Sequence, residues 1–276
     1  MIILRRGNRT GACLWDVTVM IHELGGLFAL KLAAIGVALL LLGCERLAPA
    51  GRWNGGWPRI GRNVALWLGG ALVAVAVAAP VSLWAAHQSW PWRPSWWSGT
   101  PGLVLDIVLL DLWAYLWHRI NHVVQPLWRF HQIHHRDAML DVTTSGRNHP
   151  GELIIGAIAR LPLIALLAIP ISSVMIYETV AIAAAAFHHT NMRIPARLER
   201  VLSWFIVTPS IHWMHHHALR ADTDSNYSVI FSIWDRLMFS RSRNRRTPDM
   251  PLGVEGAPER SLTGLLVMPF RDQNRA

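Results

Sequence analysis

Residues 103–135 read LVLDIVLLDLWAYLWHRINHVVQPLWRFHQIHH, so an apolar run passes directly into two histidine motifs. The first motif is His118-Arg-Ile-Asn-His122 and the second is His131-Gln-Ile-His134-His135. A third motif, His212-Trp-Met-His215-His216, repeats the HxxHH spacing further along the chain. Helical residues four apart differ by about 40° around the axis, and residues three apart by about 60°. The histidines of each motif therefore share one face of a helix.

Composition sets the class of protein. The 276-residue chain is 52% hydrophobic and only 16% charged, whereas soluble domains carry about 25% charged residues. This composition rules out a disordered chain, argues against an ordinary soluble enzyme, and predicts a polytopic membrane protein. The formal net charge is +9, but the arginines lie between apolar segments, so we expect no nucleic-acid partner. Cys13 and Cys44 form no CxxC motif, so no thiolate metal site is indicated.

Four apolar stretches predict the membrane part, at residues 27–42, 64–86, 103–117 and 153–187. A crossing needs about 20 apolar residues. We therefore expect the last stretch, broken at Pro162 and Pro170, to form a hairpin of two shorter helices. The predicted fold is all-α: a polytopic bundle of about four transmembrane helices, with a cytoplasmic helical cap that holds the histidine motifs.

Charge and tryptophan content predict the orientation. The arginine-rich loop 45–62 is expected in the cytoplasm, and the tryptophan-rich loop 88–100 at the opposite interface. This topology places the histidine motifs on the cytoplasmic side of what we expect to be the cell inner membrane. The expected organisation is a polar segment (1–24), N-terminal transmembrane helices with the aromatic loop (25–102), a catalytic domain (103–240) and a solvated C-terminal tail (241–276).

Clustered imidazoles are typical of a metal site. A lone HxxxH pair is more often a packing feature, but three motifs on one side of a membrane are hard to assign to chance. Each box is expected to aim its nitrogens at one point. Eight imidazoles exceed the four ligands of one tetrahedral zinc ion, which predicts two metals. An all-nitrogen site beside an apolar cavity suits oxygen activation at an unreactive C–H bond, which favours iron. His217 lies about 140° from His212 on the helical wheel and is left out.

One face of the helix that carries the first motif adds Asp111 as a candidate functional residue. Asp111, Tyr115, His118 and His122 are spaced four, three and four residues apart. An aspartate inside a membrane is costly unless it is paired, so Asp111 is a functional candidate. Asp111 is expected to accept the second N–H of a ligand histidine; the alternative is a structural pair with an arginine. Asp106 lies about 140° from Asp111 and is a weaker candidate.

Further motifs complete a pattern that resembles a known superfamily. They are Arg147-Asn-His149-Pro150-Gly-Glu152, Phe187-His-His189-Thr-Asn191, Asp224-Ser-Asn226-Tyr227 and Trp234-Asp235-Arg236-Leu237. With the three histidine motifs, they resemble the fatty acid hydroxylase, or sterol desaturase, superfamily of membrane histidine-rich di-iron oxygenases. The resemblance covers residues 103–240. The chain departs from the family pattern at two places: Ser228 stands where glycine is expected, and Met238-Phe239-Ser240 replaces the usual Phe-Gly-Thr. These changes concern the shape of the substrate site more than the metal ligands.

The resemblance implies which residues form the site. The implied iron ligands are His118, His122, His131, His134, His135, His189, His212, His215 and His216. His188 replaces His189 if the register of that motif slips by one residue. Asp111, Tyr115 and Asn191 are the candidates for catalytic roles. His149 is either a partner of a ligand or part of a structural turn.

The resemblance also implies a function. It predicts a membrane enzyme with two non-haem iron ions that uses O2 as co-substrate to hydroxylate or desaturate a C–H bond of a lipid. We expect the electrons to come from a separate donor of the ferredoxin or cytochrome b5 type, with its reductase. The alternative is a histidine-rich membrane protein that binds metal or haem and carries electrons without oxygenase activity.

Overall fold

The computed structural model describes residues 17–53, 55–89 and 92–271, and side chains from residue 29 onwards. Its regular structure is helical throughout the described ranges, with only isolated β-bridges between segments, which confirms the predicted fold class. The helices are α1 (Val17–Leu47), α2 (Trp57–Val73), α3 (Ala79–His87), α4 (Gly99–Val123), α5 (Gln125–His135), α6 (Pro150–Leu166), α7 (Ile171–His189), α8 (Ala196–Leu202), α9 (Pro209–His215), α10 (Arg220–Thr223), α11 (Ile233–Leu237) and α12 (Leu262–Arg271). The predicted polar segment 1–24 lies largely outside the described residues.

Long apolar helices define the membrane part. By length and composition, three helices among the described residues can cross a membrane: 57–87, 99–123 and 171–189. The first of these joins α2 to α3 through a π-helical turn at Ala74–Ala78. Pro80 follows that turn and lacks the N–H that an α-helix needs, which explains the local change of hydrogen bonding. The protein is therefore an integral membrane protein, while the expected count of about four crossings stays a prediction.

Side-chain contacts fix the two ends of the bundle. At one end, which we call the tryptophan end, the Trp92 indole donates to the carbonyl of Leu166, 2.7 Å away, and Arg93 donates to Ala168. The loop before α4 therefore lies beside the turn between α6 and α7. At the opposite end, which we call the histidine end, α4 and α7 finish and α2 and α6 begin. The amide of Asn191 there donates to Glu45 near the end of α1.

The α6–α7 hairpin differs from the prediction at one of its two prolines. Pro162 lies inside α6, which runs unbroken to Leu166. The break falls only at residues 167–170, where Ala168 has a φ of 49° and Pro170 precedes α7. A proline removes a single helical hydrogen bond and need not end a helix that is packed against neighbours.

Asp106, the weaker functional candidate, has a structural role at the tryptophan end. It is fully buried, and it accepts hydrogen bonds from Arg93, Trp97 and Ser173 at 2.7–3.0 Å. These contacts tie the start of α4 to the aromatic loop and to α7. The carboxylate is therefore engaged far from the histidines.

A buried polar network supports the histidine end. Arg59 of α2 makes ion pairs of 2.6 Å with Asp137 and 2.7 Å with Asp141, both of which follow α5. Asn63 donates to Asp137 and accepts from Arg147. A buried arginine is tolerated because its N–H groups are paired. The network fixes α2 against the segment that follows the second histidine motif.

The C-terminal region differs from the predicted solvated tail. Residues 262–271 form α12, and its Leu265 and Met268 are buried in a cluster with Leu66 and Ile133. Helix α12 therefore packs against α2 and α5. Its apolar residues at three-residue spacing form one face, and burial of that face drives the docking.

Candidate metal centre

Four helices bring nine buried or nearly buried histidines to the histidine end of the bundle. Helix α4 supplies its motif from the last two turns, and α7 supplies one histidine at its last residue. Helix α5 carries the second motif, and α9 with the residue directly after it carries the third. Pro126 and Pro209, each near the start of a box helix, suit a first helical turn because no partner for their missing N–H is needed there. The short helices thus begin only a few residues before their histidines.

The nine histidines form two groups in which the ligand nitrogens lie within 4.8 Å of one another. The five-histidine group consists of His118, His122, His131, His135 and His215. The four-histidine group consists of His134, His189, His212 and His216. These are the nine histidines that the sequence assigns as ligands.

Each HxxHH box serves both groups, which differs from the expectation that a box aims at one point. His131 and His135 join the five-histidine group, while His134 between them joins the other. In the third motif, His215 separates from its neighbours in the same way. Adjacent helical residues point about 100° apart, so a helix lying between two centres presents its histidine pair to both.

The distances between ring nitrogens fit a shared ion. His118 Nε2 lies 3.1 Å from His131 Nε2 and 3.0 Å from His215 Nε2. His189 Nε2 lies 3.1 Å from His134 Nε2 and 3.0 Å from His212 Nε2. Two nitrogens bound at about 2.1 Å and at right angles on one ion lie about 3.0 Å apart. The geometry therefore fits metal ligation.

The outward-facing nitrogens are held by acceptors. The Nδ1 atoms of His118 and His215 lie 2.8 Å and 2.6 Å from the carbonyl oxygens of Tyr227 and Ser225. His189 Nδ1 lies 2.7 Å from the carbonyl oxygen of Ala185. A ring that donates its Nδ1–H must carry its lone pair on Nε2, which faces the group. The backbone thereby selects the tautomer that a metal requires.

Two carboxylates complete this outer layer. His131 Nδ1 lies 2.7 Å from Glu152 Oε1, and His122 Nδ1 lies 3.1 Å from Asp224 Oδ1. His122 Nε2 is buried without a hydrogen-bond partner, as expected of a nitrogen that serves an ion. Glu152 and Asp224 stand within motifs of the sequence, but their spacing predicts no contact with a histidine. The signal that could have found them is their chemistry, because ligand histidines usually donate to a carboxylate or a carbonyl.

Burial favours the neutral form of five rings on or next to α5 and α9. The low-polarity surroundings, and then the neighbouring histidines, hold their pKa values well below the ordinary value of 6.5. The residues are His134, His135, His212, His215 and His216. A neutral imidazole keeps the lone pair that binds a metal, so this electrostatic environment favours ligation at neutral pH.

Asp111 does not accept from a histidine, so that expectation is wrong. Its carboxylate is fully buried and accepts from the backbone amides of Ile230 and Phe231 at 3.1 Å and 3.0 Å, and from the indole of Trp234 at 2.8 Å. Asp111 lies seven residues before His118, or about 10 Å along the helix, so it reaches a different layer. Its partners are also not the arginine of the alternative reading.

Tyr115 and Asn191 lie outside both groups. The Tyr115 hydroxyl is 2.9 Å from Ser240 Oγ, and its ring packs against Tyr227. The Asn191 side chain accepts from the amide of Gly51 at 2.9 Å and donates to its carbonyl. Both side chains hold segments together at the histidine end.

Three further histidines are placed outside the groups. His188 is buried, and its ring centre lies 4.0 Å from that of His212. His149 caps α6 by accepting from the amide of Gly151, and its other nitrogen faces α12. His217 contacts Asp222 at 2.8 Å, in keeping with its omission from the ligand set. His149 therefore has the role of a structural turn.

This fold and site define a class: integral membrane proteins whose helices hold two histidine-rich candidate metal sites at one end of the bundle. A family model for fatty acid hydroxylases matches residues 103–240. The chain belongs to the fatty acid hydroxylase family, which confirms the resemblance seen in its motifs.

Several characterised proteins are similar to the chain. It is 28% identical over 205 residues to the ornithine lipid hydroxylase OlsE of Rhizobium tropici, covering 74% of this chain and 60% of that protein. It is 27% identical over 171 residues to an alkylglycerol monooxygenase of Xenopus tropicalis, covering 60% of this chain and 36% of the relative. A cholesterol 25-hydroxylase-like protein of Danio rerio is 25% identical over 159 residues, covering 54% of this chain and 61% of the relative. The chain thus spans less than two thirds of each relative. No solved structure matches it.

Proposed function

We propose that this protein is an integral membrane non-haem di-iron oxidoreductase that uses O2 and external electrons to hydroxylate or desaturate a C–H bond of a lipid. The observation that carries the proposal is the convergence of nine imidazole nitrogens in two groups at one end of a membrane bundle. The names of the relatives support a lipid substrate, because ornithine lipids, alkylglycerols and cholesterol are all lipids.

The ligand set favours iron over zinc. A structural or catalytic zinc ion binds at most four protein ligands in its usual tetrahedral geometry, and one group here offers five. Imidazole suits iron, and no carboxylate belongs to either group. Iron bound at the two groups would supply the reduction of O2 and the oxidation of the C–H bond. The proposed ligands are His118, His122, His131, His134, His135, His189, His212, His215 and His216.

The remaining residues position these ligands. The carbonyls of Tyr227 and Ser225 and the carboxylate of Glu152 hold the proton of each ring on the outward nitrogen. Asp111 holds the segment after Tyr227, so we assign it a positioning role rather than a reaction with substrate. Tyr115 contacts Ser240 through its hydroxyl, and the Asn191 side chain holds Gly51 close to the four-histidine group.

The electron supply is assigned to a partner. We propose a donor of the ferredoxin or cytochrome b5 type, with its reductase, that acts on the cytoplasmic side of the cell inner membrane. Arginine-rich segments at the histidine end suit an acidic partner.

A haem-binding electron carrier is the competing function, and the spacing of the nitrogens disfavours it. Two axial histidines must lie on opposite faces of a flat macrocycle, about 4 Å apart with the ring between them. Here neighbouring Nε2 atoms lie 3.0–3.2 Å apart within the four-histidine group and within the five-histidine group. This leaves room for an ion and none for a macrocycle.

Untargeted lipid analysis tests the proposal. Lipids from cells that produce the protein are compared with lipids from cells that lack it, and the purified protein is assayed for bound metal. We expect a lipid that gains one oxygen or loses two hydrogens, and two iron ions per chain. His134→Ala should abolish the product and lower the metal content, whereas the control His217→Gln should retain both. A product that persists in His134→Ala, or a haem absorption band, would refute the assignment.

A further inference from the structure

A separate cavity of about 370 Å³ lies between α8, α9 and the segment 241–246. Ile211 and Met214 of α9 line it, and these positions lie on the side of that helix opposite to His212 and His216. The cavity is therefore distinct from the two histidine groups, although one helix serves both.

Two polar groups in the lining lack a partner. Thr208 is fully buried, and its Oγ1 has no hydrogen-bond partner within the described residues. Arg246 Nη2 is buried and is likewise without a partner there. The Arg246 guanidinium lies over the ring of Trp213, 3.6 Å from its centre, which fixes its orientation. Buried donors are normally paired in folded proteins, so these two point to a missing acceptor.

The charge of the lining is strongly positive. Four arginines line the cavity, namely Arg200, Arg241, Arg245 and Arg246, and none of them forms an ion pair within the described part of the chain. The only carboxylate in the lining is that of Glu199, which accepts from the amide of Ser210 at 2.9 Å. Burial lowers the pKa of Arg246 to about 10, which leaves it charged at neutral pH. The matching ligand is an anion rich in oxygen acceptors.

Helix α8 relates this cavity to the membrane. Its residues Glu199 and Arg200, and Ser203 directly after it, face the cavity. Leu198 and Val201 lie on the other side and are exposed, and Trp204 and Phe205 follow with 63% and 68% exposure. A short helix that presents exposed apolar residues beside arginines suits a membrane interface. Anionic headgroups are concentrated at that interface.

We propose that this cavity binds the phosphate of an anionic lipid headgroup, with Arg246 and Thr208 as buried donors and the exposed arginines attracting the charge. The ligand is held by charge-assisted hydrogen bonds, since a guanidinium presents its N–H groups in a fork that matches phosphate oxygens. This site does not depend on the proposed oxidation, because it shares no ligand residue with the histidine groups.

Binding of a soluble short-chain lipid tests the site. The full-length, metal-loaded protein in neutral detergent is titrated calorimetrically with dihexanoyl phosphatidylglycerol, with dihexanoyl phosphatidylcholine and with inorganic phosphate. We expect the first to bind most tightly. Arg246→Gln and Thr208→Val should each weaken it, the former about tenfold or more, as expected for loss of a charged hydrogen bond. The matched control Arg243→Gln, an exposed arginine of the same segment outside the lining, should change the affinity less than about twofold.

The outcomes separate the alternatives. Equal affinity of wild type and Arg246→Gln would overturn the site. Inorganic phosphate binding as tightly as the lipid would overturn the headgroup assignment. Tight binding of an acidic electron carrier that Arg246→Gln abolishes, with no lipid bound by the wild type, would do the same. Bound metal and thermal midpoint are measured for each variant to detect loss of folding. The double variant Arg241→Gln/Arg245→Gln changes exposed side chains only. We expect it to weaken lipid binding without lowering the thermal midpoint, and unchanged binding would contradict the role of the exposed arginines.

Discussion

At the scale of single residues, the partner of the outward-facing nitrogen is expected to control how tightly each imidazole binds a metal. Glu152 Oε1 lies 2.7 Å from His131 Nδ1, and a carboxylate in this position raises the basicity of a histidine that binds a metal. Glu152→Gln keeps the shape but removes the negative charge, so we expect metal affinity at the five-histidine group to fall about 10–100-fold. Competition with a chelator measures this loss. Glu178→Gln is the control, because the Glu178 carboxylate binds Arg160 and not a histidine, and it should leave the metal affinity unchanged. An equal loss of affinity in both variants would contradict the prediction.

The buried rings also set a pH dependence. Burial lowers the pKa values of His134, His135, His212, His215 and His216 below 6.5. The unfolded chain therefore binds more protons than the folded chain as pH falls, and stability falls with it. For protein stripped of metal, we expect the thermal midpoint to be constant above the ordinary histidine pKa and to drop steadily below about pH 6.5. Thermal unfolding in detergent between pH 8 and pH 5 measures this, and a midpoint that rises on acidification would contradict it.

At the scale of elements, the segment 227–231 connects Asp111 of α4 to His118, a member of the five-histidine group on the same helix. Asp111 accepts from the amides of Ile230 and Phe231, and the nearby carbonyl of Tyr227 orients His118. Asp111→Ala leaves buried donors unpaired, at a cost of about 1–3 kcal/mol each. We therefore expect a lower thermal midpoint and metal lost from the five-histidine group before the other. Asp106→Ala, which breaks a similar buried contact at the far end of α4, should lower the midpoint without this selectivity.

The metal loss in this comparison is measured by stepwise chelation of both variants. If Asp111→Ala loses both metals together, as Asp106→Ala is expected to do, the loop has no role in orienting His118. The conservative variant Asp111→Asn keeps part of the acceptor capacity and should lie between wild type and Asp111→Ala.

At the scale of the whole molecule, local patterns are predictable from the sequence and distant contacts are not. Helical spacing identifies the histidines of α4, α5 and α9, because it depends only on residues within two turns. It does not predict that His134 separates from His131, since that depends on where α7 and α9 lie. The partners of Asp111 and Glu152 are likewise far away in sequence. Helix α12 docks through a short apolar face, and the polar residues on either side of it give the region the composition of a solvated tail. Three-dimensional packing decides each of these contacts.

The orientation of the molecule in the membrane gives the last prediction. Helix α4 has 25 residues and spans about 38 Å, enough to cross a hydrocarbon core of about 30 Å. It therefore separates the tryptophan end from the histidine end. The arginines at the histidine end predict that this end faces the cytoplasm.

Cysteine labelling in sealed membranes measures this orientation, in a chain freed of thiols by Cys13→Ser and Cys44→Ser. Ser95→Cys reports on the tryptophan end, and Arg243→Cys reports on the segment beside α9 at the histidine end; both positions are exposed. With membranes sealed in the cellular orientation, an impermeant maleimide should label Ser95→Cys at once and Arg243→Cys only after detergent opens the membrane. Inside-out vesicles should reverse the order. Labelling of both positions from one side would mean that α4 does not cross the bilayer, and the histidine groups would then need another route to a lipid substrate.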